Sequence, residues 1–349
     1  MFYQDLSCKE LTSNLDKRRR SGQGAQAMVK RLSFLADPMI AVLLIATLFA
    51  IVIPASGQAH VTAQLISNCA IFLLFLVNGM RIARGEIVKG IANWRFFLPL
   101  FTWVFGAMPI FGLGLSSVAA NLLPPLVAVG FLFLGALPST IQSATSYTSL
   151  AGGNVALSVI GAALINIAGV FITAPLFALL AGSEVANIGG ETIVRIGVIL
   201  ILPFTIGQAV QSWTIDWLKE RKSDVAWLDR IVIGIAVYVA FSGAVGQGLG
   251  QMFGLLGWAL LIGLIIVYLI TASLGAWLTG GLLSMARTDR IAFLFAGAQK
   301  SVAIGAPLAA ILFAPDVAGF VIAPLLLYHL LQLMIAAPLA NMLARRASS

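Results

Sequence analysis

Charge is what this sequence has least of. Only 10% of its 349 residues are Asp, Glu, Lys or Arg, while 60% are hydrophobic; soluble globular proteins carry about 25% charged residues. A water-soluble domain is excluded, and the fold class is an all-α polytopic membrane protein. None of the 13 Asp and Glu residues falls inside a long apolar run. Cysteine is almost missing: Cys8 lies in a polar N-terminal stretch and Cys69 in an apolar run, so no disulfide framework or Cys/His metal site can be built. HExxH, a phosphate-binding glycine loop, a nucleophile elbow and a carboxylate pair are all absent. That excludes ATP-driven transport by this chain alone, and the expectation is a protein that is not an enzyme. Residues 1–33 are polar and hold no hydrophobic core of a cleavable signal; Met28 is a second candidate start.

What the chain has in quantity is apolar sequence of membrane-spanning length. Runs at 38–55, 61–80, 96–115, 124–145, 155–181, 192–211, 231–250, 254–280, 291–313 and 318–342 predict ten transmembrane helices. The net charge of +8 marks topology rather than a nucleic-acid partner. Arg81, Arg84, Lys89 and Arg95 separate spans two and three; Lys219, Arg221, Lys222 and Arg230 separate six and seven. Arg287 and Arg290 separate eight and nine, and Arg345 and Arg346 end the chain. With the basic N-terminal stretch, these all fall on one side, which the positive-inside rule makes cytoplasmic, with both termini there. The expected location is the cell (inner) membrane, with membrane lipid as a partner. Residues 1–33 read as a disordered tail, or as a patch (Lys17 to Arg20) attracting anionic lipid. Residues 34–185 and 186–343 form two five-span halves, and 344–349 is a cytoplasmic end.

An odd number of spans per half makes the second half run through the membrane in the opposite sense. Each half carries a polar interruption at a corresponding offset: Pro138 to Gly153 in the first, Gly297 to Pro307 in the second. Paired interruptions in inverted halves point to a transporter binding site. The first holds Pro138, Ser139, Thr140, Gln142, Ser143 and Thr145, and is expected to be unwound; Asn154, Ser158 and Asn166 follow along span five. Such hydroxyls and amides suit a small cation or line a polar seam between helices. The second interruption holds Gln299, Lys300 and Ser301, with His329 and Gln332 beside Tyr328 in span ten. His329 is either a satisfied interior histidine or a proton carrier. Asn78 near the inner end of span two is a weaker candidate. Arg195 follows Glu191 by four residues at the outer mouth of span six, the order of a helix-surface ion pair. Lys300 is central: a charge at that depth costs roughly 2.5–3.5 kcal/mol on insertion scales, and no carboxylate shares its span. It is neutral, neutralised by a bound anion, or satisfied by carbonyls and hydroxyls of the first interruption.

These stretches resemble the bile acid:sodium symporter family, in a divergent bacterial branch with a Gln-Lys-Ser motif. The resemblance rests on Gly135 to Ser143, Ser149 to Ala156, Gln299 to Gly305, Tyr328 to Leu333 and the pair Trp94-Arg95, and extends from about 34 to 343. It implies two inverted five-helix repeats arranged as a panel and a core domain, with helices 4 and 9 broken and crossing near the midplane. It also implies sodium at the crossing, with Thr140, Gln142, Ser143 and Ser158 near one site and Gln299 near another. The sodium-coupled branch has a glutamate where this chain has Phe295 and an asparagine where it has Lys300; a lost carboxylate and a gained cation repel sodium.

The expected function is secondary active transport of an organic anion by alternating access, sodium-coupled by family default. No cofactor other than sodium is implied, and a monomer or homodimer suffices. The alternatives are a sodium-independent carrier in which Lys300 replaces the cation, and a non-transporting membrane regulator. A channel has no ring of filter carbonyls or charged side chains to support it.

Overall fold

A computed structural model describes residues 38–81, 85, 92–185, 194–248 and 254–345. Among these residues every regular element is a helix. The chain divides into a unit Met1–Ala41, of which only the opening turn of the first helix is described, and a unit Val42–Ser349. The helices are α1 (Pro38–Val52), α2 (Gly57–Arg81), α3 (Trp94–Ala119), α4 (Pro125–Ala136), α5 (Ile141–Leu150) and α6 (Val155–Gly182). They continue with α7 (Val194–Glu220), α8 (Lys222–Gly246), α9 (Leu255–Leu282), α10 (Arg287–Ala298), α11 (Val302–Leu312) and α12 (Pro315–Arg345). Eight stretches are long and apolar enough to cross a membrane, the pair α10–α11 counting as one, and the bent pair α4–α5 makes nine. The basic N-terminal stretch, Arg84, Lys89, Glu191 and Arg346 lie outside the described residues.

Two elements depart from expectation. The first apolar run was expected to span 38–55, but α1 stops at Val52 after 15 residues. Pro54 has no N–H to continue the helix and disfavours helical geometry at Ile53. The first interruption was expected to be unwound, yet 141–150 is the regular helix α5, with non-helical backbone only at 137–140 before it and 151–154 after it. Pro138 again sets the boundary: Leu137 before it is extended, at φ −73° and ψ 146°, the geometry that a following proline favours. The Ser and Thr residues beyond it meet no such obstacle, so their backbone groups bond within the helix.

Small residues let the helices approach closely, the usual substitute in lipid for a hydrophobic driving force. A Cβ on Gly79 would strike the carbonyl oxygen of Phe204, and one on Gly207 that of Leu76. The amide of Gln208 donates to Gly79 O at 2.7 Å, while Arg195, farther toward the start of α7, reaches Asn68 at 3.4 Å. Sequence position therefore increases together along α2 and α7, and the two helices run parallel. Between α8 and α12 the register is reversed: Gly243 abuts Pro315, and Gly319 abuts Ala240.

The α2–α7 seam is testable. Gly207→Val should destabilise the protein by about 1–3 kcal/mol, because backbone rather than a flexible side chain would have to move. Gly263→Ala, whose Cβ would meet open space, should leave the melting temperature in detergent unchanged.

Candidate functional site

The four half-helices α4, α5, α10 and α11 meet where their chains leave helical geometry, and hydrogen bonds link the breaks. Residues 137–140 and 299–301 are extended, and they cross-bond directly: Ser301 N–H donates to Pro138 O at 3.0 Å. A broken helix leaves carbonyls without partners at one stump and N–H groups at the next, so each stump must be satisfied by something else.

Lys300 satisfies the first. Its side chain is fully buried, and Nζ donates to Gly135 O at 3.0 Å and Leu137 O at 2.7 Å. These are carbonyls at the C-terminal end of α4, the negative end of its dipole. The partners of Nζ are thus backbone carbonyls just before the first interruption, and none of its hydroxyls. The stump of α10 is satisfied by Tyr328, whose hydroxyl donates to Ala298 O at 2.7 Å. Gln332 then holds the extended segment by both backbone groups of one residue. Lys300 N–H donates to Gln332 Oε1 at 2.8 Å, and Gln332 Nε2 donates to Lys300 O at 3.1 Å. The same Nε2 lies 2.8 Å from His329 Nδ1. Ser301 Oγ caps α11 by accepting from Ile304 N–H at 3.3 Å.

The first interruption is tied down in the same way. Asn166 Nδ2 donates to Ser139 O at 2.7 Å and to Ala162 O at 2.7 Å, and Ser143 Oγ donates to Gln299 Oε1 at 2.9 Å. Thus Pro138, Ser139, Ser143, Asn166, Gln299, Lys300, Ser301, His329 and Gln332 form one connected group. Thr140 starts α5 without a side-chain cap and is half-buried, and Gln142 is exposed. The hydroxyls of Ser139 and Thr145 are buried without a hydrogen-bond partner, as is Asn78 Oδ1. Asn154 and Ser158 belong elsewhere. Asn154 Nδ2 donates to Asp289 Oδ1 at 2.9 Å and its N–H to Thr288 O at 2.9 Å, while Thr148 Oγ1 donates to Ser158 Oγ at 3.1 Å.

Sequence reasoning missed Tyr147, Thr148 and Asp289, and the carbonyls of Gly135 and Leu137 as individual acceptors. Tyr147 Oη donates to Leu333 O at 3.1 Å. Only a fold brings such groups to their partners, and a backbone carbonyl has no signature in sequence.

Three of the five side chains expected near sodium, Ser143, Ser158 and Gln299, already have hydrogen-bond partners. The carbonyls of Gly135 and Leu137 accept from Lys300 Nζ, the oxygens of Ser143 and Gln299 are bonded to each other, and Ser158 is bonded to Thr148. Phe295, 2% exposed, packs in an apolar cluster with its ring 5.9 Å from that of Tyr147. Among the described residues, no three His, Cys, Asp or Glu side chains gather to hold a metal.

An all-helical, multi-pass bundle around two broken helices with a buried polar crossing defines a membrane transport protein. The sequence profile of the SBF-like CPA transporter family, of bile acid:sodium symporter type, matches residues 37–345, and the chain belongs to that family. It is a transporter-family protein and not an enzyme. It is 37% identical over 327 residues to "Uncharacterized protein PA2026" of Pseudomonas aeruginosa, covering 91% of this chain and 96% of the relative. It is 33% identical over 319 residues to "Putative symporter YfeH" of Escherichia coli, covering 90% and 95% respectively. Sodium/bile acid cotransporter 7 of Mus musculus is 23% identical over 285 residues, covering 78% and 82%.

Gln332→Leu would leave the Lys300 N–H and C=O unpaired in a buried site. With about 1–3 kcal/mol for each unsatisfied group, it should lower stability by roughly 2–6 kcal/mol. Tyr328→Phe, which strands one carbonyl, should cost about half as much. Thermal unfolding of the purified variants checks both values and their order.

Proposed function

We propose that this protein is a secondary transporter that moves an amphipathic organic anion by alternating access about the crossing of its two broken helices, and that Lys300 occupies the place of a coupling cation there. The observation that carries the reading is the buried ammonium on the carbonyl stump of α4. In broken-helix carriers, unwound carbonyls and half-helix C-termini coordinate the cation, and half-helix N-termini face the anionic substrate. Here a covalently attached ammonium takes the cation's ligands, leaving the N-termini of α5 and α11 for an anion. The name of the cotransporter 7 relative, with its bile acid, supports an amphipathic carboxylate as the substrate class.

Helix direction supports the inverted ten-span topology. Parallel α2 and α7 require an odd number of crossings between them. With α3 and α6 each crossing once, α4–α5 must also cross as a broken span rather than return as a re-entrant loop. Antiparallel α8 and α12 require an even number between them, so α10–α11 crosses together with α9. Adding α1 gives ten spans in two halves of opposite sense. The distribution of basic residues supports a reading with both termini in the cytoplasm and the protein in the cell's inner membrane.

Purified protein in proteoliposomes, with cholate as the probe anion, tests this reading. Wild type should move cholate without a sodium gradient, and Lys300→Ala should reduce that flux at least tenfold. Strictly sodium-dependent flux in wild type would return the protein to sodium symport. Absence of flux for cholate and other amphipathic carboxylates would leave the regulator reading.

A further inference from the structure

The imidazole of His329 is 6% exposed, yet the transport reading gives it no task. Its protonation state follows from geometry. A backbone N–H can only donate and a backbone C=O can only accept, so the two bonds between Lys300 and Gln332 fix which end of the Gln332 amide is oxygen and which is nitrogen. With that orientation fixed, Nε2 spends one hydrogen on Lys300 O and turns the other toward His329 Nδ1 at 2.8 Å. Nδ1 must therefore accept: it carries no proton, and the ring is neutral with its proton on Nε2.

A proton added at Nδ1 would set an N–H against the N–H of Gln332. With the ring held in place, relief requires the amide to turn or withdraw, and either movement breaks both bonds that hold the Lys300 backbone. Proton occupancy of His329 and closure of the 299–301 segment thus exclude one another. Because linkage is reciprocal, any step of a transport cycle that parts Gln332 from Lys300 also frees Nδ1 to take a proton.

Several elements pack against α12. These include α4, α5, α8, α9 and α11. Tyr147 of α5 donates to Leu333 O, Tyr268 of α9 packs its ring 5.5 Å from Tyr328, and Lys300 lies at the break. Helices α4, α5, α9 and α11 contain no Asp or Glu. Those of α8 and α12 are Asp224, Asp229 and Asp316, near helix starts, and Asp229 is paired with Arg81 at 2.8 Å.

We propose that His329 is the proton-binding site of this carrier, linked through Gln332 to the Lys300 segment, so that a proton rather than a metal cation is the ion that opens the crossing. The proposal rests on reading the crossing as the moving centre of a carrier. Its test reads protonation and backbone opening instead of flux, so the two can fail separately.

The chain has two histidines, His60 and His329. His60→Gln protein labelled with 15N-histidine therefore reports His329 alone. At pH 8.5 the nitrogen spectrum should show an unprotonated Nδ1 and a protonated Nε2, with both nitrogens protonated on acidification to pH 5.5. A proton on Nδ1 at pH 8.5, or a spectrum unchanged at pH 5.5, overturns the proposal without any change at position 329. Hydrogen exchange over 299–301 supplies the linkage, with wild type compared with His329→Asn at the same pH so that intrinsic exchange cancels. Asn Oδ1 can accept where Nδ1 does but cannot titrate. The two should exchange alike at pH 8.5, with wild type at least tenfold faster at pH 5.5; equal exchange at both values overturns the linkage.

Discussion

The organisation of this protein depends on one unusual contact, a lysine ammonium seated on the carbonyl stump of a broken membrane helix. Breaking a helix inside a bilayer leaves backbone groups that water cannot reach, and each must find a partner in the protein. Lys300 solves that problem for α4, and α4 solves the reverse problem for Lys300, whose buried Nζ needs acceptors. The two difficulties offset each other. Interruptions far apart in sequence are thus joined by side chains and by the backbone bond from Ser301 to Pro138.

Around that contact, α12 acts as a fixed rail of polar groups along one edge of the crossing. Tyr328 holds the end of α10, Gln332 holds the backbone of Lys300, and His329 orients Gln332. On the proposed reading, Lys300 Nζ takes carbonyls that a coupling cation would use, while Ser143 and Gln299 bond to each other. The fold supplies the stumps, and the side chains decide what satisfies them.

Much of this was legible in the sequence. Apolar runs of spanning length located the helices, and two polar interruptions at corresponding offsets located the crossing. The placement of Lys300 without a carboxylate in its span identified it as the residue that needed explaining. What was not legible depended on direction and partner. Pro138 marks a break, but nothing in the polar residues after it tells that 141–150 continues as helix, since Ser and Thr suit both a helix and an unwound segment. Asn154 and Ser158, one turn apart and polar, read as part of the central site; in the fold they serve contacts to the α10 start and to Thr148. The pairing of Gln332 with both backbone groups of Lys300 spans 32 positions, and no local pattern announces it.

The central claim, that Lys300 replaces a coupling cation, is tested most directly by thermal stability in sodium and in potassium at matched ionic strength, for wild type and Lys300→Ala. A ligand that binds only the folded state stabilises it by RT ln(1 + [L]/Kd), about 2.7 kcal/mol at a hundredfold excess over Kd. The account predicts that wild type melts at the same temperature in both salts, while Lys300→Ala, with its carbonyl stump vacated, is stabilised by sodium specifically. Sodium-specific stabilisation of wild type would contradict it, because the ion would then bind with the ammonium in place.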